Sequence, residues 1–145
     1  MIEFSVRTPE REVLVDITAL VSATLTDAGC GVDGVVHVFV PHTTAGVTIN
    51  EGADPSVALD AVNALATLVP RHGPYRHAEG NSDAHVKATL VGSQATVPLR
   101  AGRLQLGTWQ SIYLAEFDGP RTRRVQVEVT CSALTGGAIG ARGTR

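Results

Sequence analysis

Aromatic side chains make up only 4% of this chain, with a single tryptophan. That supply is too thin for the stacking platforms on which single-stranded nucleic acids are bound. Charge of one sign is also lacking: a formal net charge of −2 leaves no electrostatic footprint for a phosphate backbone. Cysteine is scarce. Cys30 and Cys131 are the two present, and neither sits in a CxxC pair. Such isolated residues predict reduced thiols in a cytoplasmic protein, with one bridge as the alternative. No apolar run approaches the roughly 18–20 residues of a membrane span. Met1-Ile2-Glu3-Phe4 lacks the basic start and apolar segment of a secretory leader. P-loop, GxGxxG and GxSxG patterns are absent, so phosphate cradles and serine elbows of those kinds are excluded. The expectation is a soluble cytoplasmic protein that binds neither nucleic acid nor membrane.

What is present is apolar patterning. At 145 residues and 43% hydrophobic content, the chain is long enough for one core without help from disulfides. Residues 1–135 read as a single domain and 136–145 as a flexible C-terminal tail. Ile2, Phe4 and Val6 alternate with Glu3 and Ser5, a half-buried strand. Glu12 to Val15 gives a second strand. Asp16 then caps a helix whose stripe is Ile17, Leu20, Val21, Thr24 and Ala28, ended by Gly29. Val35 to Val40 is apolar on both faces except at His37, which predicts a central strand or one covered by another subunit. Asp54-Pro55 opens a second helix with Ala58, Val62, Leu65 and Val69 on one side, stopped by Pro70. A polar loop of about 13 residues follows at 71–83, near the length limit for a compact domain. Ala84 to Leu90 reads as one or two helical turns capped by Ser82 or Asp83. Gln94–Leu99 and Leu104–Leu106 flank a hairpin signal at Arg100-Ala101-Gly102-Arg103. Strands at Ser111–Phe117 and Arg124–Val129 complete the chain. Strands outnumber helices and their connections are short. The fold class is therefore α+β, an antiparallel β-rich, sandwich-like domain flanked by two or three helices.

The chemistry concentrates in His42 to Glu51, His-Thr-Thr-Ala-Gly-Val-Thr-Ile-Asn-Glu, where a strand end presents His42, Thr43, Thr44, Asn50 and Glu51. The bland reading is an ordinary hairpin turn. Three neutral imidazoles, His42, His77 and His85, would make an open metal site if they met. Their spacing is not HExxH, and on spacing alone solvated loop residues are the better reading. His72 reads as solvated, His37 as a hydrogen-bonded core or interface residue. Glu51 is a general base, second-layer partner or cation ligand. Asp54 and Asp83 also read as helix caps. Trp109 walls a pocket or fills the core, the core being the commoner use of a lone tryptophan. Arg121, Arg123 and Arg124 bind phosphate or keep an edge strand soluble.

Taken in order, Pro41-His42-Thr43-Thr44-Ala45, Ile49-Asn50-Glu51 with Asp54, Tyr75-Arg76-His77, Asn81 to His85 with Lys87, Leu106-Gly107-Thr108-Trp109-Gln110 and Asp118-Gly119-Pro120-Arg121 with Arg123 span roughly residues 5 to 131. This series resembles the YjbQ-like family, often labelled secondary thiamine-phosphate synthase. The resemblance implies a compact α+β fold assembled as a homotrimer. It implies that His42, His77 and His85 converge near Glu51, on a divalent metal (Zn²⁺ or Mg²⁺) with no organic cofactor. It also implies a weak thiamine-phosphate synthase activity on a small-molecule substrate. On that reading His42, Glu51 and Asp83 are catalytic. Thr43, Thr44, Asn50 and Gln110 contact substrate, Lys87, Arg121 and Arg123 clamp its phosphates, and Trp109 stacks on a pyrimidine. The chemistry pulls two ways. Expelling pyrophosphate favours Mg²⁺ on oxygen ligands, whereas three histidines suit Zn²⁺ and water activation. Three readings follow: an enzyme acting on a small phosphorylated or heterocyclic compound, a metal- or ligand-binding module without turnover, and a structural trimer.

Overall fold

The computed structural model describes residues 1–27 and 33–132. The predicted tail at 136–145, Ala28, Gly29 and Cys30 lie outside the described residues. Among the described residues, eight strands and three helices follow one another as β1 (Ile2–Arg7), β2 (Val13–Asp16), α1 (Thr18–Asp27), β3 (Gly34–Phe39), β4 (Ala45–Glu51), α2 (Pro55–Leu68), α3 (Ser82–Val91), β5 (Gln94–Arg100), β6 (Arg103–Leu104), β7 (Gln110–Glu116) and β8 (Thr122–Cys131). They form two antiparallel sheets, β1-β8-β3-β5-β6 and β2-β7-β4. The protein is thus an α+β sandwich, as the strand count predicts.

The period-2 pattern sorts the side chains into two cores. Val36 and Val38 of β3, Val97 and Leu99 of β5, and Val125 and Val127 of β8 pack against Val47 of β4 and Ile112 and Leu114 of β7. Ile17, Val21 and Leu25 bring α1 into this inter-sheet core. β7 is buried on both faces. Its other side presents Ala115, with Phe117 just beyond, to Ala84 and Ala88 of α3 and to Leu65 of α2. The layers are therefore five strands, three strands, then α2 and α3. β3 is the middle strand of the larger sheet, as predicted, but only its Val36 and Val38 face is buried; Phe39, on the other face, is 42% exposed in the protomer.

Several local expectations are corrected. β3 and β4 belong to different sheets, so His42 to Thr44 is a crossover and not a hairpin turn. Pro41 has no N–H to continue the β3 ladder, and the His42 N–H turns back onto Val40 O at 2.9 Å. Leu20 is 45% exposed, while Leu25 takes a place in the core. α3 runs a full ten residues with Asn81 at its cap position. Ser82 and Asp83 lie inside its first turn, where Asp83 is engaged by Lys87 one turn on and by Arg11. β6 is only Arg103–Leu104, joined to β5 through Ala101 (φ 47) and Gly102 (φ 72). Their left-handed backbone is what a two-residue hairpin demands. Trp109 is 63% exposed and fills no core in the protomer. His37 is exposed on the outer sheet face, where Nδ1 lies 3.2 Å from Thr96 Oγ1. β8 lies between β1 and β3, so its arginines do not guard an edge. Cys131 is disulfide-bonded, against the expectation of reduced thiols. No helix among the described residues is long and apolar enough to cross a membrane.

Candidate functional site

The crossover from β3 to β4 is fixed by main-chain bonds on both sides. Val40 N–H donates to Ser93 O at 2.9 Å, and Phe117 N–H to Thr44 O at 3.2 Å. Between them the half-buried His42 ring accepts the Arg124 N–H on Nε2 at 2.9 Å. That bond requires an unprotonated Nε2, so the neutral ring carries its proton on Nδ1. Burial, then the charges of Arg123 and Arg124, pulls the His42 pKa below its ordinary value, against an opposing pull from Glu116. At neutral pH His42 therefore offers a hydrogen-bond donor from Nδ1.

Beneath the crossover lies a buried ion pair that sequence reasoning passes over. Glu116 is fully buried and receives a two-pronged guanidinium contact, Arg123 Nε to Oε2 at 2.7 Å and Nη2 to Oε1 at 2.6 Å. Thr8 Oγ1 and the N–H groups of Phe117 and Asp118 also donate to it, at 2.9, 3.0 and 2.9 Å. Arg123 Nη2 continues to Thr44 Oγ1 at 2.8 Å, so the pair holds the crossover in place. Burial opposes ionisation of Glu116, but Arg123 and these donors outweigh it and keep the carboxyl below its ordinary range. The available signal is parity: Glu116 follows Ile112 and Leu114 onto the inter-sheet face, where a carboxylate needs a cation.

A second network surrounds the start of α3. Asp83 and Lys87 are both fully buried, one helical turn apart, with Nζ 3.0 Å from Oδ2. Lys87 Nζ also donates to Glu12 Oε1 at 2.8 Å, and Arg11 Nη2 donates to Asp83 Oδ1 at 2.9 Å. Arg11 Nη1 and Asn81 Nδ2 reach Asp118, which also holds Arg121 through Nη2 at 2.8 Å. Burial works against the Asp83 anion, yet Lys87 and Arg11 outweigh it and its carboxyl titrates below the ordinary range. Arg11, Glu12 and Thr8 are the members that no motif announces.

α3 is pressed against β4 at one point of contact. A Cβ on Gly46 would collide with the Gly92 carbonyl oxygen and lie 3.1 Å from Val91 Cγ1, while Val47 N–H bonds the same oxygen at 3.0 Å. Glycine at 46 lets the helix end approach, and this brings His85 to the crossover. We expect Gly46→Val to cost about 1–3 kcal/mol through overpacking, read as a lower urea midpoint at unchanged slope. A value near zero would show that α3 yields freely.

This packing opens a cleft of about 410 Å³ whose walls include His42, Thr43, His85, Thr89 and Ser93. An adjoining one of about 440 Å³ shares His42, Thr43 and Ser93 and reaches Thr44 and Arg123. His77 stands edge-on to His85, with ring centroids 5.3 Å apart, and is 3.6 Å from Glu79 Oε2 through Nε2. His42, Thr43, Thr44, His77, His85 and Arg123 thus gather at one end of β4, with Asp83 and Lys87 in the network below.

Glu51, Asn50, Trp109 and Gln110 gather at the other end. Glu51 pairs in register with Gln110, as Ala45 does with Glu116. Six residue steps put the two ends about 20 Å apart. There Tyr113 Oη donates to Glu51 O at 2.9 Å, Gly52 N–H to Trp109 O at 2.7 Å and Gly107 N–H to Gln110 Oε1 at 2.8 Å. Within one chain the histidines do not meet Glu51. No group of three His, Cys, Asp or Glu is placed to hold a metal among the described residues. The Nε2 lone pair of His42 is already taken, and Asp83 is held by Lys87 and Arg11. In one chain these residues do not fit a three-imidazole metal site.

The family described as "UPF0047 protein YjbQ-like" matches residues 2–132. The UPF0047 protein MJ1081 of Methanocaldococcus jannaschii is 46% identical over 129 residues, covering 89% of this chain and 93% of that protein. UPF0047 protein YugU of Bacillus subtilis is 45% identical over 125 residues, covering 86% of this chain and 94% of that one. Among solved structures, an uncharacterised YjbQ/UPF0047 protein of Clostridium acetobutylicum superimposes with a TM-score of 0.87 at 48% identity, covering 90% of this chain and 100% of its own. A conserved hypothetical protein of Thermus thermophilus does so with a TM-score of 0.83 at 50% identity, over 90% and 100% of the two chains.

Proposed function

The chain belongs to the YjbQ-like UPF0047 family, and we propose that it is an enzyme whose His42–His85 cleft acts on a small phosphorylated compound, with thiamine-phosphate synthesis as a slow activity. The observation that carries this reading is the Arg124 N–H on His42 Nε2, which turns the opposite nitrogen into a donor. With the hydroxyls of Thr43 and Ser93, the cleft supplies a few donors and little charge, the Thr89 hydroxyl being already donated to His85 O at 2.9 Å. Such a wall suits an oxyanion whose charge grows as a bond to phosphate breaks. His85, with His77 against its ring, is the group to carry the proton. Lys87 and Arg123 are engaged by Asp83 and Glu116, so they hold the donors in place and do not clamp phosphate directly. A reaction without a strong cationic clamp is expected to be slow.

Glu51, Trp109 and Gln110 join this site if a homotrimer carries that end of β4 to the cleft of the next copy. Shared sites of this kind arise naturally at the head-to-tail contacts of a cyclic oligomer. The test couples a pyrimidine diphosphate to a thiazole phosphate and follows thiamine phosphate. We expect His85→Asn to lower the rate about 100-fold with the fold intact, within the range for a lost proton donor. Glu51→Gln should also lose activity, and mixing the two inactive variants should restore part of it. Full activity in His85→Asn sinks the assignment. The second reading, a metal-binding module without turnover, is favoured only by the His77–His85 contact. Stoichiometric metal on the purified protein, lost in His85→Asn while no product forms in either protein, would establish it instead.

A further inference from the structure

The second of the two adjoining clefts differs in character from the first. Its apolar lining is Phe39, Val40 and Pro41, and it meets the His85 cleft along His42, Thr43 and Ser93. Phe117 is buried and Phe4 packs against the inter-sheet core, but Phe39, the third phenylalanine, stays 42% exposed. Strand parity is the reason: β3 turns Phe39 with His37 to the outer sheet face, where its register partners are Gln94 and Gln126. Neither partner is apolar, so the ring is left as an open wall. Its strand end is fixed by the Val40 N–H on Ser93 O at 2.9 Å. Arg123 also lines this cleft, but Glu116 and Thr44 hold it. Arg124, two residues before Gln126, turns to the same face as Phe39. It is exposed, its ion pair with Glu3 is 3.9 Å long, and its charge is felt by the His42 ring.

We propose that the compound taken by the His42–His85 cleft is a phosphate ester of a compact planar ring, and that Phe39 is the residue that selects the ring. The anionic group lies at His42 Nδ1 and the Thr43 and Ser93 hydroxyls. The ring lies in the adjoining cleft against Phe39, where offset or edge-on contact between two rings adds to the area they bury. This deepens the function proposed above and rests on it for the anionic end; the ring subsite is the new assignment. Each cleft falls in the lower part of the roughly 300–1,000 Å³ range of small-molecule sites, and their shared wall suits a ligand of two unlike halves. The Arg124 charge favours an anion at the junction.

Phenylphosphonate and methylphosphonate are the probes. Both carry phosphate-like oxygens on a C–P bond that hydrolysis leaves intact. Each is titrated into the full chain while backbone amide shifts are recorded. Both are expected to shift His42, Thr43 and Ser93. Phenylphosphonate alone should shift Phe39 and Val40, with at least about ten-fold higher affinity, one decade. Phe39→Ala, at a position where truncation opens no core cavity, should erase that preference and leave methylphosphonate binding unchanged. Phe39→Trp, which keeps a ring, should retain it. Equal affinity for the two probes, a preference that survives Phe39→Ala, or no saturation by either probe overturns the proposal. So does a Phe39→Ala protein that changes its oligomeric state with its preference intact, which makes Phe39 a contact with a second copy of the chain. Undiminished activity of His85→Asn ends the enzymatic reading and leaves the ring preference standing; an absent preference ends this assignment and leaves the His85 test standing.

Discussion

Arg123→Met is expected to lower the unfolding free energy by about 3–5 kcal/mol, the cost of leaving one member of a buried ion pair alone. Glu116 is fully buried, and after the substitution only Thr8 and two backbone N–H groups face its charge. Those three donors place the loss toward the lower end of the range. The double variant Arg123→Met/Glu116→Leu should recover part of it, because neither charge is then stranded. A second readout comes from His42. Arg123 lowers the pKa of that ring and Glu116 raises it, so deleting the arginine should move the imidazole titration upward, followed by its proton resonances. A stability change under about 1 kcal/mol would put the pair in the class of solvent-screened surface bridges.

The same residue marks the limit of sequence reading in this chain. Alternation along β1, β5 and β8 is legible because one face of each strand is buried and the other is wet. The apolar run of β3 announces a middle strand, although only Val36 and Val38 are buried and its other face, with His37 and Phe39, is exposed in the protomer. Asp54-Pro55 announces α2, and Asp54 Oδ1 does accept the Ser56 N–H at 2.9 Å. The crossover at His42 is not legible, because a polar turn between two apolar runs looks the same whether the strands pair with each other or enter different sheets. Trp109 misleads because composition says how often tryptophan is buried, not which end of which strand it occupies.

The candidate site divides along the same line. Motif order brings His42, Thr43, His77 and His85 into one list, and the fold brings them to one end of β4. It puts Glu51, Asn50, Trp109 and Gln110 in the same list, and the fold sends them to the other end. Strand length decides this: a motif that begins before β4 and finishes at its last residue must span the sheet. The cationic residues divide by burial. Lys87 and Arg123 look like phosphate ligands by type, but once buried each must satisfy carboxylates of the chain itself: Asp83 one helical turn away and the remote Glu12 for one, and Glu116 across the turn between β7 and β8 for the other. The i,i+4 spacing of Asp83 and Lys87 is a local pattern, but nothing local reports that the pair is buried or that Glu12 joins it.

Lys87→Met should be the other severe loss, toward the lower end of about 3–5 kcal/mol at neutral pH, because it leaves buried Asp83 to Arg11 alone and removes the Lys87 ammonium from Glu12 Oε1. Its pH dependence separates this cause from lost packing. In the parent protein the Asp83 carboxyl titrates below its ordinary range. Its contribution to stability is therefore complete above the unfolded value of about 4 and is lost as the pH falls through the folded pKa. Without Lys87, burial still pushes that pKa up while the largest opposing influence has gone. The unfavourable charge then exists only where Asp83 is ionised. The difference in urea midpoint between parent and variant should be widest near pH 7 and narrow as the carboxyl protonates, below about pH 4. Arg11, 2.9 Å from Oδ1, sets how far the gap closes, and adding Arg11→Met should raise the pH at which closure begins. A gap that stays constant from neutral to acid pH would mean that Asp83 carries no charge in the folded protein, and that methionine at 87 fails by shape alone.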